Sequence, residues 1–558
     1  MHAIITGETL HTSFSHPRPE KKHYDKKLTT RKSTGTNNPK TNPLQISEVT
    51  KGKNRLKSRI YSQEHILAGV VAISLLSKLL LASKGGQYFI VDEARFLSGH
   101  YLLADIADGD FQSALHRIST NYAHSFFIFF AAFAEGIRFL YVNLINQGYT
   151  PAYLLTETRA GIEVAAFALS FASSISIFLV YKIIRRFGGG KDQALAGAFL
   201  MALSTTNYYY ARHLLPYDCA IMLSLIALYF GAHPEGKVRH SLLCGLFAGL
   251  ATLTYNGYWI LSVVVWLLHI MRSDEHYNKR IKKAILCAFA GVSPLIILQF
   301  ISLSVGENFL RGEIMWLHAS KGNQYGDLGL GWAFFFVYLW EAEHGILIVF
   351  IVGIIFSVRG WLANFSLRSL DHRMFGPFAA LVIFFLLILL SDVAQVTVLY
   401  GRTIKQIVPF LCIACALPLK QLKNFLPRTK INLTIALLLV ASIAQAAYNQ
   451  STCLNITFPS SFKAQVENQY GPVSRLSNLK GPNIDVFEHI DPDSEYILVN
   501  GQNLILPIHR QKAIPQGKVL LSVPHPYQYK PYQFIHFNYR ERTILDNTDL
   551  SMKVLKKN

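Results

Sequence analysis

Acidic residues are scarce in this chain. Asp and Glu number 34 against 54 Lys and Arg, and charged residues of both signs make up only 16% of its 558 positions. That is too little polar surface for one large water-exposed globule. Cysteine is sparse too. Of the six, Cys219, Cys244, Cys287, Cys412 and Cys415 fall inside apolar runs, and Cys453 lies outside them, so no disulfide framework is implied. Cys412 and Cys415 form a C-x-x-C, but within a predicted membrane helix, where packing is the ordinary use of a small apolar side chain. No internal repeat is visible. The apolar stretches are continuous rather than alternating, which excludes a membrane β-barrel and leaves helices.

What the chain has is apolar length. It is 51% hydrophobic, and long apolar runs recur between short basic loops. This pattern predicts an all-α polytopic membrane protein. About eleven spans are expected, at 66–83, 160–181, 194–211, 216–232, 241–255, 257–271, 284–304, 346–358, 375–391, 406–419 and 431–448. A net charge of +20 suggests a nucleic-acid partner at first sight, but its distribution argues otherwise. Residues 1–60 hold 13 Lys and Arg against 4 Asp and Glu. They read as a disordered basic cytoplasmic tail, too long and polar for a secretory signal. The run "KGKNRLKSR" beside the first span would attract anionic membrane lipids. Loops 182–193, 233–240, 272–283, 359–374 and 420–430 carry 18 further Lys and Arg. Positive-inside logic puts these and the N-terminus in the cytoplasm, and the C-terminus outside. Segment 123–145 would reverse every later loop if it crossed. It is therefore expected to lie in the outer interface or to dip in and return, which suits its Glu135 and Arg138. Lys78 in the first span is expected to snorkel.

Three pieces then face outward: a loop at 84–159, a loop at 305–345, and residues 449–558. The last alternates short β-like runs ("EYILVN", "KVLLSV", "QFIHFNY") with breaks, and reads as a small exoplasmic α/β domain. This topology gathers charge on one face. Asp92 and Glu93 ("IVDEARFL") follow the first span, and Arg212, His213 and Asp218 ("YYYARHLLPYD") lie between spans three and four. His318 and Lys321 ("MWLHASKG") and Glu341, Glu343 and His344 are in the second loop; Arg402 and Lys405 ("LYGRTIKQ") precede span ten. A carboxylate there can act as general base on a hydroxyl or amine, and the cations can bind a phosphate. Plainer readings stand beside these. Adjacent acids are often solvated, or Asp92 could N-cap the following segment. Arg402 and Lys405 could anchor a helix end among lipid heads, whereas Asp218 inside an apolar run needs a partner. Asp105, Asp108 and Asp110 ("DIADGD") are a weak divalent-cation candidate. The patch "YQYKPYQFIHFNYRER" reads as an amphipathic strand rather than a nucleic-acid or glycan surface.

Taken together, "VDEARFLSGHYLLADIADGDF", the region from "TRAGIEVAAFALSF" to "RHLLPYDCAIMLSLIALYF", and "LYGRTIKQIVPFLCIACALPL" resemble the GT-C membrane glycosyltransferases. The nearest branch is that of the dolichyl-phosphate-mannose protein mannosyltransferases and the bacterial aminoarabinose transferases. The resemblance covers roughly residues 60–450. It implies a glycosyltransferase that moves a sugar from a polyprenyl-phosphate donor to a glycan, lipid or protein acceptor, on the exoplasmic side of a bacterial cytoplasmic membrane, inverting the anomeric carbon. By that resemblance Asp92 is the general base, and Glu93 orients the acceptor or holds the local fold. Arg402, Lys405 and Arg212 meet the donor phosphate. Asp218 fixes a cationic neighbour, and His318, Lys321 and His124 line the site. No cofactor is required, and because related transferases differ in metal use, a divalent cation stays open. A carrier or flippase for a lipid-linked saccharide, or an inactive scaffold, are the competing readings.

Overall fold

The computed structural model describes residues 43–87, 91–122, 124–145, 161–233, 237–271, 277–321, 331–343, 345–363, 375–394, 399–417, 428–470, 496–499, 517–529, 532–533, 542 and 549–556. The chain divides into two compact units, Met1–Arg59 and Ile60–Asn558. Most of the basic tail, residues 1–42, lies outside the described residues, and Pro43 begins the first helix.

Helices dominate. In chain order they are α1 (Pro43–Ser83), α2 (Leu97–Ala107), α3 (Phe111–Thr120), α4 (Phe127–Ile145), α5 (Ile162–Arg186), α6 (Lys191–Leu203) and the short α7 (Thr205–Tyr209). There follow α8 (Tyr217–Gly231), α9 (Val238–Thr254), α10 (Trp259–Met271), α11 (Tyr277–Ser304), α12 (Phe309–Lys321), α13 (Gly331–Glu343) and α14 (Gly345–Ala363). The last are α15 (Phe375–Ile388), α16 (Gly401–Ile404), α17 (Val408–Ala416), α18 (Arg428–Leu454) and α19 (Pro459–Tyr470). Among the described residues five helices are long and apolar enough to cross a membrane: Gln63–Ser83, Phe127–Leu144, Ile162–Arg186, Asn278–Ser304 and Phe375–Val393. Tyr217–Gly231, Val238–Thr254 and Asn256–Met271 are apolar but shorter. Four of the five long helices overlap the spans expected at 66–83, 160–181, 284–304 and 375–391, whereas Phe127–Leu144 lies in the segment expected at the outer interface.

Close helix packing rests on small side chains, as it does where lipid supplies no hydrophobic drive. Gly245 and Gly249 on α9 face α11. A Cβ on Gly245 would stand 2.2 Å from the Cys287 carbonyl, and one on Gly249 would stand 2.1 Å from that of Gly291. The Asn256–Tyr258 turn closes the tight α9–α10 hairpin expected at Asn256–Gly257.

Chain direction can be followed from end contacts. The guanidinium of Arg186 at the end of α5 lies over the Tyr229 ring and donates to the Tyr229 carbonyl, near the end of α8. Since α5 packs along α8, the two run parallel. The start of α5 therefore lies at the same end of the bundle as Tyr217, the first residue of α8. Gly161, left-handed at φ +69, brings that start against α4, where its Cβ would fall 2.7 Å from Val142. The other end of α4 follows His124, whose ring lies beside Tyr255 of the α9–α10 turn. Both ends of α4 thus lie at one end of the bundle. Its polar residues turn inward: Glu135 accepts from Arg138 Nε at 2.8 Å and lies 2.9 Å from His100 Nδ1 on α2.

Three features differ from the sequence reading. The expected span 194–211 breaks at Ser204, because the carboxylate of Glu343 accepts from Ser204 Oγ (2.7 Å), Thr205 N (3.1 Å) and Thr206 N (3.1 Å), capping α7 with a new helix start. Residues 331–343, assigned to the second outer loop, form α13, an apolar helix just before the short span predicted at 346–358. The span predicted at 431–448 extends through α18 to Leu454, burying Asn449 and Cys453. Asn449 donates to Thr205 Oγ1 at 2.9 Å and to the Ala342 carbonyl at 3.2 Å, so one polar knot joins α7, α13 and α18.

After α19, three strands form one antiparallel sheet of order β1–β3–β2: β1 (Tyr496–Val499), β2 (Lys518–Val523) and β3 (Met552–Lys556). Tyr496 pairs with Lys556 and Val523 with Met552, with an irregularity between Val519 and Leu521. Phe462 and Val466 of α19 pack with Leu498, Met552 and Val554 in a small core. Two of the three β-like runs are strands. The third, "QFIHFNY", lies mostly outside the described residues. Tyr527 and Gln528, which begin the aromatic-basic patch, lie in a short 3-10 turn, Pro526–Gln528, and most of the rest of the patch lies outside the described residues.

Candidate active site

A 3-10 turn, Val91–Phe96, follows α1 and carries Asp92 and Glu93 in its first turn. Neighbours in such a turn point in different directions, and the two acids have different surroundings. Asp92 is 26% exposed. Its Oδ2 lies 2.5 Å from Arg402 Nη1 and accepts from the Tyr217 hydroxyl at 3.1 Å, while Arg95 Nη2 stands 3.8 Å from Oδ1. Glu93 is fully buried. Its Oε1 accepts from Leu214 N at 2.8 Å and its Oε2 lies 3.3 Å from His213 Nδ1. Burial holds the His213 imidazole below the usual histidine range.

Arg402 reaches Asp92 across 310 residues of sequence. Its backbone carbonyl accepts from the Tyr258 hydroxyl at 2.7 Å, and its guanidinium lies over the Tyr400 ring. Tyr217, Tyr255 and Tyr258 form a contiguous aromatic wall, with ring centroids 4.8 Å apart for Tyr217–Tyr255 and for Tyr255–Tyr258. His124 stands at its edge, 5.3 Å from Tyr255. The ring of His124 is within hydrogen-bond reach of Arg95, with Nε2 3.0 Å from Nη1. Burial, then the neighbouring Arg95 charge, hold His124 well below the usual range, so it is neutral.

Deeper in the bundle lies a second, sealed group. Lys405 Nζ is 2.6 Å from Asp218 Oδ1, and the same ammonium lies 4.1 Å from the Tyr210 ring. Lys78 does not snorkel. It is fully buried, its Nζ has no hydrogen-bond partner among the described residues, and the charges acting on it are Asp218 and Lys405. Arg212, expected at the donor phosphate, is also fully buried. It donates to the Leu81 carbonyl (3.2 Å) and to the Tyr532 hydroxyl (3.0 Å), and lies over Phe458. It therefore ties α1 to the C-terminal segment.

The structure thus brings together Asp92, Arg402 and His124 of the expected set. Asp218 and Lys405 pair with one another, and Glu93 and Arg212 hold backbone. His318 and Lys321 belong to α12, but their side chains, and His344, lie outside the described residues. Sequence reasoning passed over Arg95, Tyr217, Tyr255 and Tyr258. Arg95 had one signal: it lies a single helical turn after Asp92.

The two carboxylates do not converge as metal ligands, since Asp92 is engaged by Arg402 and Glu93 by His213 and a backbone amide. In the acidic run at 105–110, Asp105 pairs with Arg117, and Asp110 Oδ1 accepts from Ser113 N at 3.0 Å as the cap of α3. Among the described residues no group of three His, Cys, Asp or Glu is placed to hold a metal ion.

Comparison with known proteins agrees with the sequence likeness. The family described as dolichyl-phosphate-mannose-protein mannosyltransferase matches residues 154–298, which include Arg212, Asp218 and the tyrosine wall. No curated protein matches the chain. Among solved structures, an oligosaccharyltransferase from Archaeoglobus fulgidus, complexed with Zn and sulfate, is 13% identical with a TM-score of 0.38, over 69% of this chain and 52% of that one. The archaeal oligosaccharyltransferase AglB from Archaeoglobus fulgidus, in complex with an inhibitory peptide and a dolichol-phosphate, is 13% identical with a TM-score of 0.40, over 70% and 56%. ArnT from Cupriavidus metallidurans in the apo state is 14% identical with a TM-score of 0.38, over 63% and 59%. The match spans about half the length of these chains. The protein is similar to the GT-C mannosyltransferases.

Proposed function

We propose that this protein is a membrane glycosyltransferase that moves a sugar from a polyprenyl-phosphate donor to a hydroxyl or amine acceptor, with inversion. One observation carries the reading: Asp92, Arg402 and Tyr217, from three distant parts of the chain, meet at one partly open carboxylate. Asp92 takes the acceptor proton as the acceptor oxygen or nitrogen bonds to the anomeric carbon. The bond from that carbon to the phosphate oxygen breaks, and its electron pair leaves with the lipid phosphate. Arg402 is held on Asp92 until a donor phosphate competes for it. Its transfer to phosphate frees the carboxylate as a base, so the base is strongest when donor is bound. Tyr217 keeps the carboxylate oriented.

The sidedness follows the charge pattern. Lys182, Arg185, Arg186 and Lys191 gather at the end of the bundle away from Asp92, which supports a cytoplasmic N-terminus and an exoplasmic site. With both ends at the site end of the bundle, α4 lies along the outer interface. A polyprenyl donor stays in the bilayer, so its phosphate meets the protein at headgroup level. The second reading, a carrier for lipid-linked saccharide, is favoured by the buried Lys78, Asp218 and Lys405, since ionisable groups inside a bundle often line a transport path.

Asp92→Asn separates the two. With membranes and polyprenyl-phosphate sugars, transfer should fall about 100- to 10,000-fold while the purified chain melts at an unchanged temperature. Undiminished transfer removes Asp92 from the mechanism. Donor flux across vesicles with no transfer product would favour the carrier.

A further inference from the structure

Four cations of the site region differ in what balances them. Lys405 is neutralised by Asp218 at 2.6 Å and sealed, and Arg212 is sealed among a carbonyl, a hydroxyl and an aromatic face. Arg402 has Asp92 at 2.5 Å. Arg95 is the exception: it is 32% exposed, Asp92 stands only at 3.8 Å, and its close partner is the His124 ring. A guanidinium has donors and no acceptors, so the ring nitrogen facing it must carry a lone pair. His124 therefore fixes Arg95 without cancelling its charge. The neutral state that burial and the Arg95 charge impose on His124 agrees with this. The loop is itself fixed, because the His124 carbonyl accepts from Asn121 Nδ2 at 3.0 Å and from Phe127 N at 2.9 Å. Two guanidinium groups thus face one carboxylate, with Glu93 turned away, and both reach the open side of the site.

We infer that Arg95 is a second ligand of the donor phosphate, opposite Arg402, and that His124 is its positioning residue. This rests on the donor reading above. The chemistry asks for such a group. The donor phosphate is a diester with one charge; when its bond to the sugar breaks, it leaves as a monoester carrying nearly two. A second guanidinium contributes most where that charge develops, so Arg95 acts more on the transfer step than on donor capture.

The test uses the full-length chain and two ligands, a polyprenyl monophosphate and the matching uncharged polyprenol. The unsubstituted chain should bind the monophosphate more tightly than the polyprenol. Arg95→Gln should weaken monophosphate binding about ten- to hundredfold and leave polyprenol binding unchanged. Arg95→Lys should keep part of the affinity, retaining charge without the fork, and covers the case in which the Gln variant does not fold. His124→Leu should lower kcat more than it raises KM, and His124→Gln, which keeps an acceptor, should restore much of the loss. Monophosphate binding undiminished in both Arg95 variants overturns the proposal while the donor reading stands. Failure of the unsubstituted chain to prefer monophosphate over polyprenol removes the donor reading, and this inference with it.

Discussion

Asp92 and Glu93 are neighbours with the same functional group, yet the structure uses them in opposite ways. Asp92 is partly open and is held by side chains that a ligand could displace: a guanidinium, a phenol and a second guanidinium at longer range. Glu93 is closed off and held by a backbone amide, which cannot move away, and by a buried histidine. The same division separates the cations. Arg95 and Arg402 reach the open side, while Arg212 and Lys405 are walled in. What distinguishes a chemical group from a structural one here is whether its partners can exchange, and residue type does not reveal that.

The sharpest way to break the comparison is to attack the closed side. Asp218→Ala strands the Lys405 ammonium in the bundle, and removing one partner of a buried pair costs about 3–5 kcal/mol. Thermal melting in detergent should fall steeply. Pairing Asp218→Leu with Lys405→Met removes both charges and should recover most of the stability, though Lys78 then loses its nearest anion. A single variant that melts like the unsubstituted protein would place the pair in water.

Glu93→Ala is the next largest. It leaves the buried Leu214 N–H without its acceptor, at about 1–3 kcal/mol. Donor affinity of the protein that remains folded should be unchanged. A loss of affinity with no change in melting would give Glu93 a role at the ligand and erase its contrast with Asp92.

Asp92 and Arg402 on the open side, and Asp218's need for a partner on the closed side, were legible in the sequence; Arg95 and Tyr217 were not. Charge sorting alone placed Asp92, Arg212–Asp218 and Arg402 at one end of the bundle, because loop charge and apolar length are local quantities. The fate of Arg212 is not local. Its partner Tyr532 lies 320 residues later, in a patch whose pattern suggested a strand. α13 falls inside the loop expected at 305–345, and nothing local in its sequence shows that Glu343 is desolvated and caps α7. Lys78 is buried where snorkelling is expected, because sequence shows depth along a helix but not which face is packed. The exchange of residues between open and closed groups therefore falls where partners are far apart in the chain.

The smallest effect tests whether the C-terminal segment belongs to the closed side. His525 is fully buried, its Nδ1 accepts from Tyr527 N at 3.1 Å, and burial pushes its imidazole down to about 3. In the unfolded chain the same group titrates near 6.5. Above that pH both states are neutral and His525 contributes no pH dependence. As pH falls from about 6.5 toward 3, the unfolded chain binds a proton that the folded chain refuses, so stability drops by about 1.4 kcal/mol per pH unit. Melting measured at pH 7.5 and pH 5.5 should show this loss, and His525→Asn, which keeps an acceptor near Tyr527 N without a titrating ring, should flatten it. Other buried neutral imidazoles, His124 and His213, act in the same direction, so the difference between the two proteins is the readout. An Asn variant with the same acid sensitivity as the parent would put His525 in contact with solvent, and with it the segment that reaches Arg212 through Tyr532.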